Sequence, residues 1–173
     1  GPHADRRIYR TFRFGSLADL IMLDTRLVGR DQQVPRDQLQ TIQDPRRSLL
    51  GSQQEKWLFD QLRQSQKRNA RWQLLGQQVM FAPNTPWGRP AGNADGWDGY
   101  RPSRDRIIDY LEDNRMKSAV ILTGDVHSSW AYDVPKDPWN QYVPSTGGGA
   151  TGVEVVTPSV TSASGWDAKT ADD

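Results

Sequence analysis

The chain has 173 residues, close to one domain's worth, and its 22 Lys plus Arg against 21 Asp plus Glu leave a formal net charge of +1. So small an excess argues against a polybasic nucleic-acid binder and against an acidic tail protein. Hydrophobic residues make up only 35%, with seven Trp, five Tyr and four Phe, so the expected core is thin and aromatic-rich, and cysteine is absent, which leaves only oxygen and imidazole to bind metal.

The opening Gly1-Pro2-His3 reads as a cleavage remnant, which leaves His127 as the informative histidine. Tyr9 to Phe14 alternates well enough to pair as a hairpin with a strand at Leu20 to Leu23. That second strand, Trp72 to Phe81 and Ala119 to Thr123 all read as buried. The runs LIML and AVILT are continuously apolar, as strands are when both faces of their sheet are covered. Between them, Ser52 and Glu55 have capping-box spacing and predict a helix to about Arg68, with Trp57, Leu58 and Leu62 on its apolar face. Ser103 is the expected cap of a second helix to about Asn114, with Ile107, Ile108 and Leu111 as its buried stripe. Gly152 to Thr157 is a fourth, weaker strand. The order indicates an α/β layer architecture with function at the carboxyl ends of the strands. Pro83 to Pro102 and Ser128 to Thr151 are left as long irregular stretches, and such loops are functional or disordered. There is no internal repeat, membrane span or signal peptide pattern.

Asp125 and His127 follow the third buried strand in TGDVH. In an extended chain residues two apart point the same way, so a carboxylate and an imidazole would converge on one metal ion or one substrate oxygen. The alternative is an aspartate turn beside a satisfied core histidine. Asp24 and Arg26 repeat the spacing in LDTR and suit a metal or phosphate site, or a simple ion pair. Trp97 and Tyr100 flank a tight Asp98-Gly99 turn and offer either a substrate-positioning wall or plain packing. Arg104, near the start of the second helix, suits anion binding beside free helix N–H groups, or solvated charge. Asn84 and Asn93 are possible neutral oxygen ligands. Ser145 to Gly152 lacks the GK[ST] ending of a nucleotide-binding loop.

Six stretches, RFGSLADLIMLDTR, LLGSQQEKWL, WQLLGQQVMFAP, DGWDGYRPSRDRIIDYL, VILTGDVHSSWA and GVEVVTPSVTS, occur in the order shown by PhoD-like alkaline phosphatases. The chain resembles that family over roughly residues 8 to 165, with 1–7 and 166–173 as tails. The resemblance implies a calcineurin-like metallophosphoesterase: an α/β sandwich of two sheets flanked by helices, hydrolysing phosphate monoesters and diesters with a ferric ion and calcium. Asp125 and His127 match the family's GDVH metal-site motif. Asp24 and Arg26 match its LDTR motif, so Asp24 is expected to join the metal site and Arg26, with Arg104, to position the phosphoryl group. A secreted or periplasmic setting is implied too. The family's immunoglobulin-like domain and the first half of its catalytic domain, with early Asp, Asn, Tyr and Cys ligands, have no counterpart before residue 8. The chain is therefore expected to be an inactive C-terminal part of the enzyme, which exposes an apolar sheet edge or face and self-associates or pairs with the missing half. A noncatalytic module that keeps the fold is the alternative.

Overall fold

The computed structural model describes residues 7–83 and 93–160. Six strands form one sheet: β1 (Arg10–Phe14), β2 (Ala18–Met22), β3 (Trp72–Gln77), β4 (Ala119–Thr123), β5 (Trp130–Pro135) and β6 (Ala150–Val156). Their spatial order is β1-β2-β3-β4-β6-β5. β2, β3, β4 and β6 run parallel, while β1 and β5 close the two edges as antiparallel partners. The expected hairpin of β1 with β2 is present, with Phe12 opposite Leu20. β5 falls in the stretch expected to be irregular; Trp130, Tyr132 and Val134 alternate there with period two, a strand signal masked by the turn residues around it.

Two α-helices, α1 (Gly51–Lys67) and α2 (Arg101–Asp113), and two 3-10 helices, Arg36–Gln43 and Trp97–Tyr100, complete the described fold. The apolar stripes lie where periodicity put them: Leu58 and Leu62 of α1 and Ile107, Ile108 and Leu111 of α2 are buried against Ile21, Leu75 and Ile121 of the sheet. The caps differ from expectation. α1 begins one residue before Ser52, and the hydroxyl that accepts from Gly51 N–H is that of Ser48, at 2.8 Å. Glu55 instead holds the Arg106 guanidinium at 2.8 Å, which couples α1 to α2. Ser103 sits inside the first turn of α2, which is entered through Pro102, and its hydroxyl lies at 3.4 Å from both Leu49 N–H and the Glu55 carboxylate. Long-range partners thus hold Glu55 and Ser103 in place of the capping expected of them, while the hydroxyl at the start of α1 is the local Ser48.

The helices cover one face of the sheet. On the other, the cross-strand rows Phe12–Leu20–Leu74–Val120–Val153 and Met22–Gly76–Leu122–Val155 run side by side. Phe12, Leu122, Val153 and Val155 there are exposed, and Leu20, Met22, Leu122 and Val155 line a shallow apolar groove of about 380 Å³. Among the described residues no helix covers this apolar face, whereas sheets with a parallel centre are ordinarily covered on both sides.

Candidate active site

The carboxyl ends of β2, β3 and β4 meet at one edge of the sheet, and buried amides tie them together. The Gln54 side chain of α1 accepts from Asp24 N–H at 2.7 Å and donates to Asp24 C=O at 2.9 Å. Gln78, just past β3, accepts from Thr25 N–H and hydroxyl at 2.8 and 2.7 Å and donates to Leu23 C=O at 2.9 Å. The turn after β2 is thereby fixed from both flanks.

Asp24 is fully buried, and its Oδ1 accepts from Arg26 N–H at 2.9 Å and Leu27 N–H at 2.8 Å, an aspartate turn that aims the Arg26 side chain. Its Oδ2 is buried without a hydrogen-bond partner. Arg26 does not pair with Asp24. Its guanidinium bridges two other chain segments, with Nη1 2.7 Å from Asp95 and Nη2 2.6 Å from Asp125. Partial burial pulls the Arg26 pKa down, but the bonds and charges of Asp95 and Asp125 together leave it above its ordinary value, so the cation is permanent.

Asp125 and His127 do not continue the strand. Both have left-handed backbones, with φ of 67° and 60°, and Val126 N–H donates to Gly124 C=O at 2.9 Å, closing a tight turn directly after β4. The same-side argument from an extended chain therefore does not apply; the turn, not strand alternation, sets where the two side chains go. Asp125 and Val126 line a cavity of about 250 Å³ together with Val79, Met80, Ala82, Asn93, Gly96 and Asp98. His127 is not among the lining residues, and among the described residues no three His, Asp or Glu side chains converge as a metal-binding group. Asn84 lies outside the described residues; Asn93 lines the cavity and its Oδ1 accepts from Asp95 N–H at 3.0 Å.

Trp97 and Tyr100 require correction. Both are fully buried, so neither forms a wall that a substrate touches. Trp97 packs edge-on against Phe81 with centroids 4.9 Å apart and donates from Nε1 to Gln77 at 3.1 Å. Tyr100 donates to Asp31 C=O at 2.7 Å, with the Arg30 and Arg47 guanidinium groups 5.0 and 4.7 Å from its ring centroid. Gly99 between them allows this packing, because a Cβ there would lie 2.0 Å from Ala94 C=O. Arg104 is corrected as well: it is buried, and its Nη1 lies 3.1 Å from the buried Asp98 carboxylate. It neutralises a cavity-lining acid from behind and does not offer its charge at the surface.

The network beneath the cavity was not legible in local sequence. Gln77 Oε1 accepts from both Trp97 Nε1 and Val79 N–H, each at 3.1 Å, and its Nε2 donates to the Thr123 hydroxyl. That hydroxyl donates to Glu154 Oε1 at 2.5 Å. Glu154, fully buried at the middle of β6, also accepts from Phe81 N–H at 2.8 Å and Ala82 N–H at 2.6 Å. Burial pushes the Glu154 pKa up, against the lowering effect of these donors and of the Arg104 charge. The loop after β3, the Trp97 turn and the end of β4 are thus locked to one another under the cavity floor.

The PhoD-like phosphatase family profile matches residues 1–173, the whole chain. Alkaline phosphatase D of Bacillus subtilis (strain 168) is 38% identical over 181 residues, an alignment covering 99% of this chain and 29% of that protein. The solved structure of PhoD superposes with a TM-score of 0.75 at 37% identity, covering 91% of this chain and 30% of that one. The chain therefore spans less than a third of the length of these relatives.

Proposed function

The chain belongs to the PhoD-like phosphatase family, and on that premise we propose that it forms part of a metal-dependent phosphoric ester hydrolase. The observation that carries the reading is the Arg26 guanidinium, held at the carboxyl end of β2 and reaching Asp125 at the end of β4 beside a cavity lined by Asn93, Asp98 and Asp125. A planar, permanent cation is suited to bind a phosphoryl oxygen, and carboxylate, amide and imidazole groups are the donors that calcium and iron accept. No three carboxylate or imidazole groups converge as a metal-binding set among the described residues, so in this proposal the stretch supplies only part of a metal shell. Asp125 and His127 are its ligands in this proposal, and the buried, unpartnered Oδ2 of Asp24 is a third oxygen near the same strand edge. Bound metal would supply a water of lowered pKa and offset charge on the nonbridging phosphoryl oxygens. The role of this chain's own residues is to hold the ester: Arg26 fixes the phosphoryl group and the Glu154 network keeps the cavity floor in place.

The bare sheet face belongs to the same proposal. In the full-length protein it is the seat of the remaining polypeptide, which completes a calcineurin-like sandwich and carries the other ligands. Secretion, as in the family, is part of the reading. Light scattering is expected to find the 173-residue chain self-associated and the full-length protein free of that association. A monodisperse, monomeric 173-residue chain would show that the face needs no cover.

The assay that tests the activity uses the full-length protein with p-nitrophenyl phosphate and bis-p-nitrophenyl phosphate, together with elemental analysis. Hydrolysis with bound iron and calcium is expected, and Asp125→Ala and His127→Ala should each lose metal and at least about 100-fold in kcat. Retention of metal and rate by both variants would end the proposal.

A further inference from the structure

The Arg26 guanidinium does not stand at the cavity by itself. Arg30 donates from Nη2 to the Asp95 carboxylate at 2.6 Å and to Asp95 C=O at 2.9 Å, and from Nη1 to Thr25 C=O at 3.1 Å. Its guanidinium also lies over the Tyr100 ring. Asp95 in turn holds Arg26 Nη1, and Arg26 Nη2 reaches Asp125. Side-chain exposure rises along this row from 12% at Arg30 to 33% at Asp95, 34% at Arg26 and 48% at Asp125. The row is rooted in the core and free at its cavity end. Each member satisfies the next, so the rotamer freedom of a long arginine is replaced by one planar orientation.

 The freedom of the Arg26 side chain is thereby given up before any ligand arrives.

Resting on the reading of Arg26 as the phosphoryl-binding group, we infer that Asp95 and Arg30 are positioning residues that hold the Arg26 fork at the cavity. Asp95 fixes one arm of the fork through Nη1, and the other arm, Nη2, faces the exposed Asp125 end, where a phosphoryl oxygen competes for it. Arg30 keeps Asp95 in place through both its carboxylate and its carbonyl, so its effect on the ester passes entirely through Asp95 and Arg26. Local sequence gave no hint of either residue, because Arg26 and Asp95 are 69 positions apart.

The test uses the full-length protein with Arg26→Ala, Asp95→Asn, Arg30→Gln and the double variant Arg26→Ala/Asp95→Asn. The readouts are KM for p-nitrophenyl phosphate, competitive inhibition by inorganic phosphate, and the thermal midpoint. Asp95→Asn and Arg30→Gln should each raise KM and the phosphate inhibition constant together by about tenfold. Adding Asp95→Asn to Arg26→Ala should change neither constant further, a non-additivity that general loss of structure does not produce. Unchanged constants in Asp95→Asn, while Arg26→Ala raises them, would overturn the inference and leave the phosphatase reading intact. So would an equal Asp95→Asn effect with and without Arg26. Unchanged constants in Arg26→Ala would instead remove the reading on which the inference rests.

Discussion

Arg104→Met is expected to lower the unfolding free energy by about 3–5 kcal/mol, the cost of removing one partner from a buried ion pair. Arg104 and Asp98 are each only 5% exposed and their charges meet at 3.1 Å, so the variant strips a largely buried Asp98 carboxylate of its guanidinium. Methionine matches much of the arginine stem, which limits the cavity contribution and leaves electrostatics as the main loss. Urea denaturation of the variant and the parent gives the number directly. A loss below about 1 kcal/mol would place the pair with surface ion pairs, whose median contribution is about 0–1 kcal/mol. A paired replacement of Arg104 and Asp98 by apolar residues should recover part of the loss, because no charge is then left buried.

The elements that repeat locally were legible in the sequence. LIML and AVILT read as buried strands because both their faces are apolar, and they flank β3, each parallel to it. Leu58, Leu62, Ile107, Ile108 and Leu111 read as helix faces because 3.6-residue periodicity needs no knowledge of the partner. Continuous apolarity also implied that the sheet is covered twice, whereas the described residues cover it once, and the exposed Leu122 and Val155 are the remainder of that signal.

What escaped was fixed by partners distant in the chain. Ser52 and Glu55 have the right spacing for a cap, yet Glu55 is taken by Arg106, 51 residues away, and Ser48 supplies the hydroxyl. A motif's spacing says what a side chain can reach locally; it does not say which stronger partner the fold brings to it. The aromatic content of WDGY suggested a substrate wall for the same reason. Trp97 and Tyr100 are as consistent with a buried turn, and the decisive constraint is the contact of Gly99 with Ala94, which composition does not reveal. Within the candidate site, Asp24 and Arg26 were found by their position at a strand end, while Asp95, Arg30 and Glu154 became visible only when the fold closed.

Glu154→Ala is the second large effect, about 3–5 kcal/mol, because it combines a cavity with three donors left without their acceptor. Phe81 N–H, Ala82 N–H and the Thr123 hydroxyl all converge on this carboxylate, and none of them gains water by its removal unless the cavity floor opens. Glu154→Gln keeps the volume and one acceptor oxygen but turns an N–H₂ toward one of the donors, so it should fall between alanine and the parent. The two variants also separate the carboxylate's bonding from its charge. Burial raises the folded-state pKa of Glu154 above the ordinary glutamate value. Over the interval between the unfolded and folded values, the folded chain keeps a proton that the unfolded chain has released, so stability falls as pH rises through that interval. The contribution of the raised pKa is complete below the unfolded value and gone above the folded one. The difference in unfolding free energy between parent and Glu154→Gln should therefore shift against the parent as pH rises from about 4, the ordinary glutamate range. A difference that does not change with pH would mean that Glu154 titrates alike in both states, and that the donors at Phe81, Ala82 and Thr123 offset its burial in full.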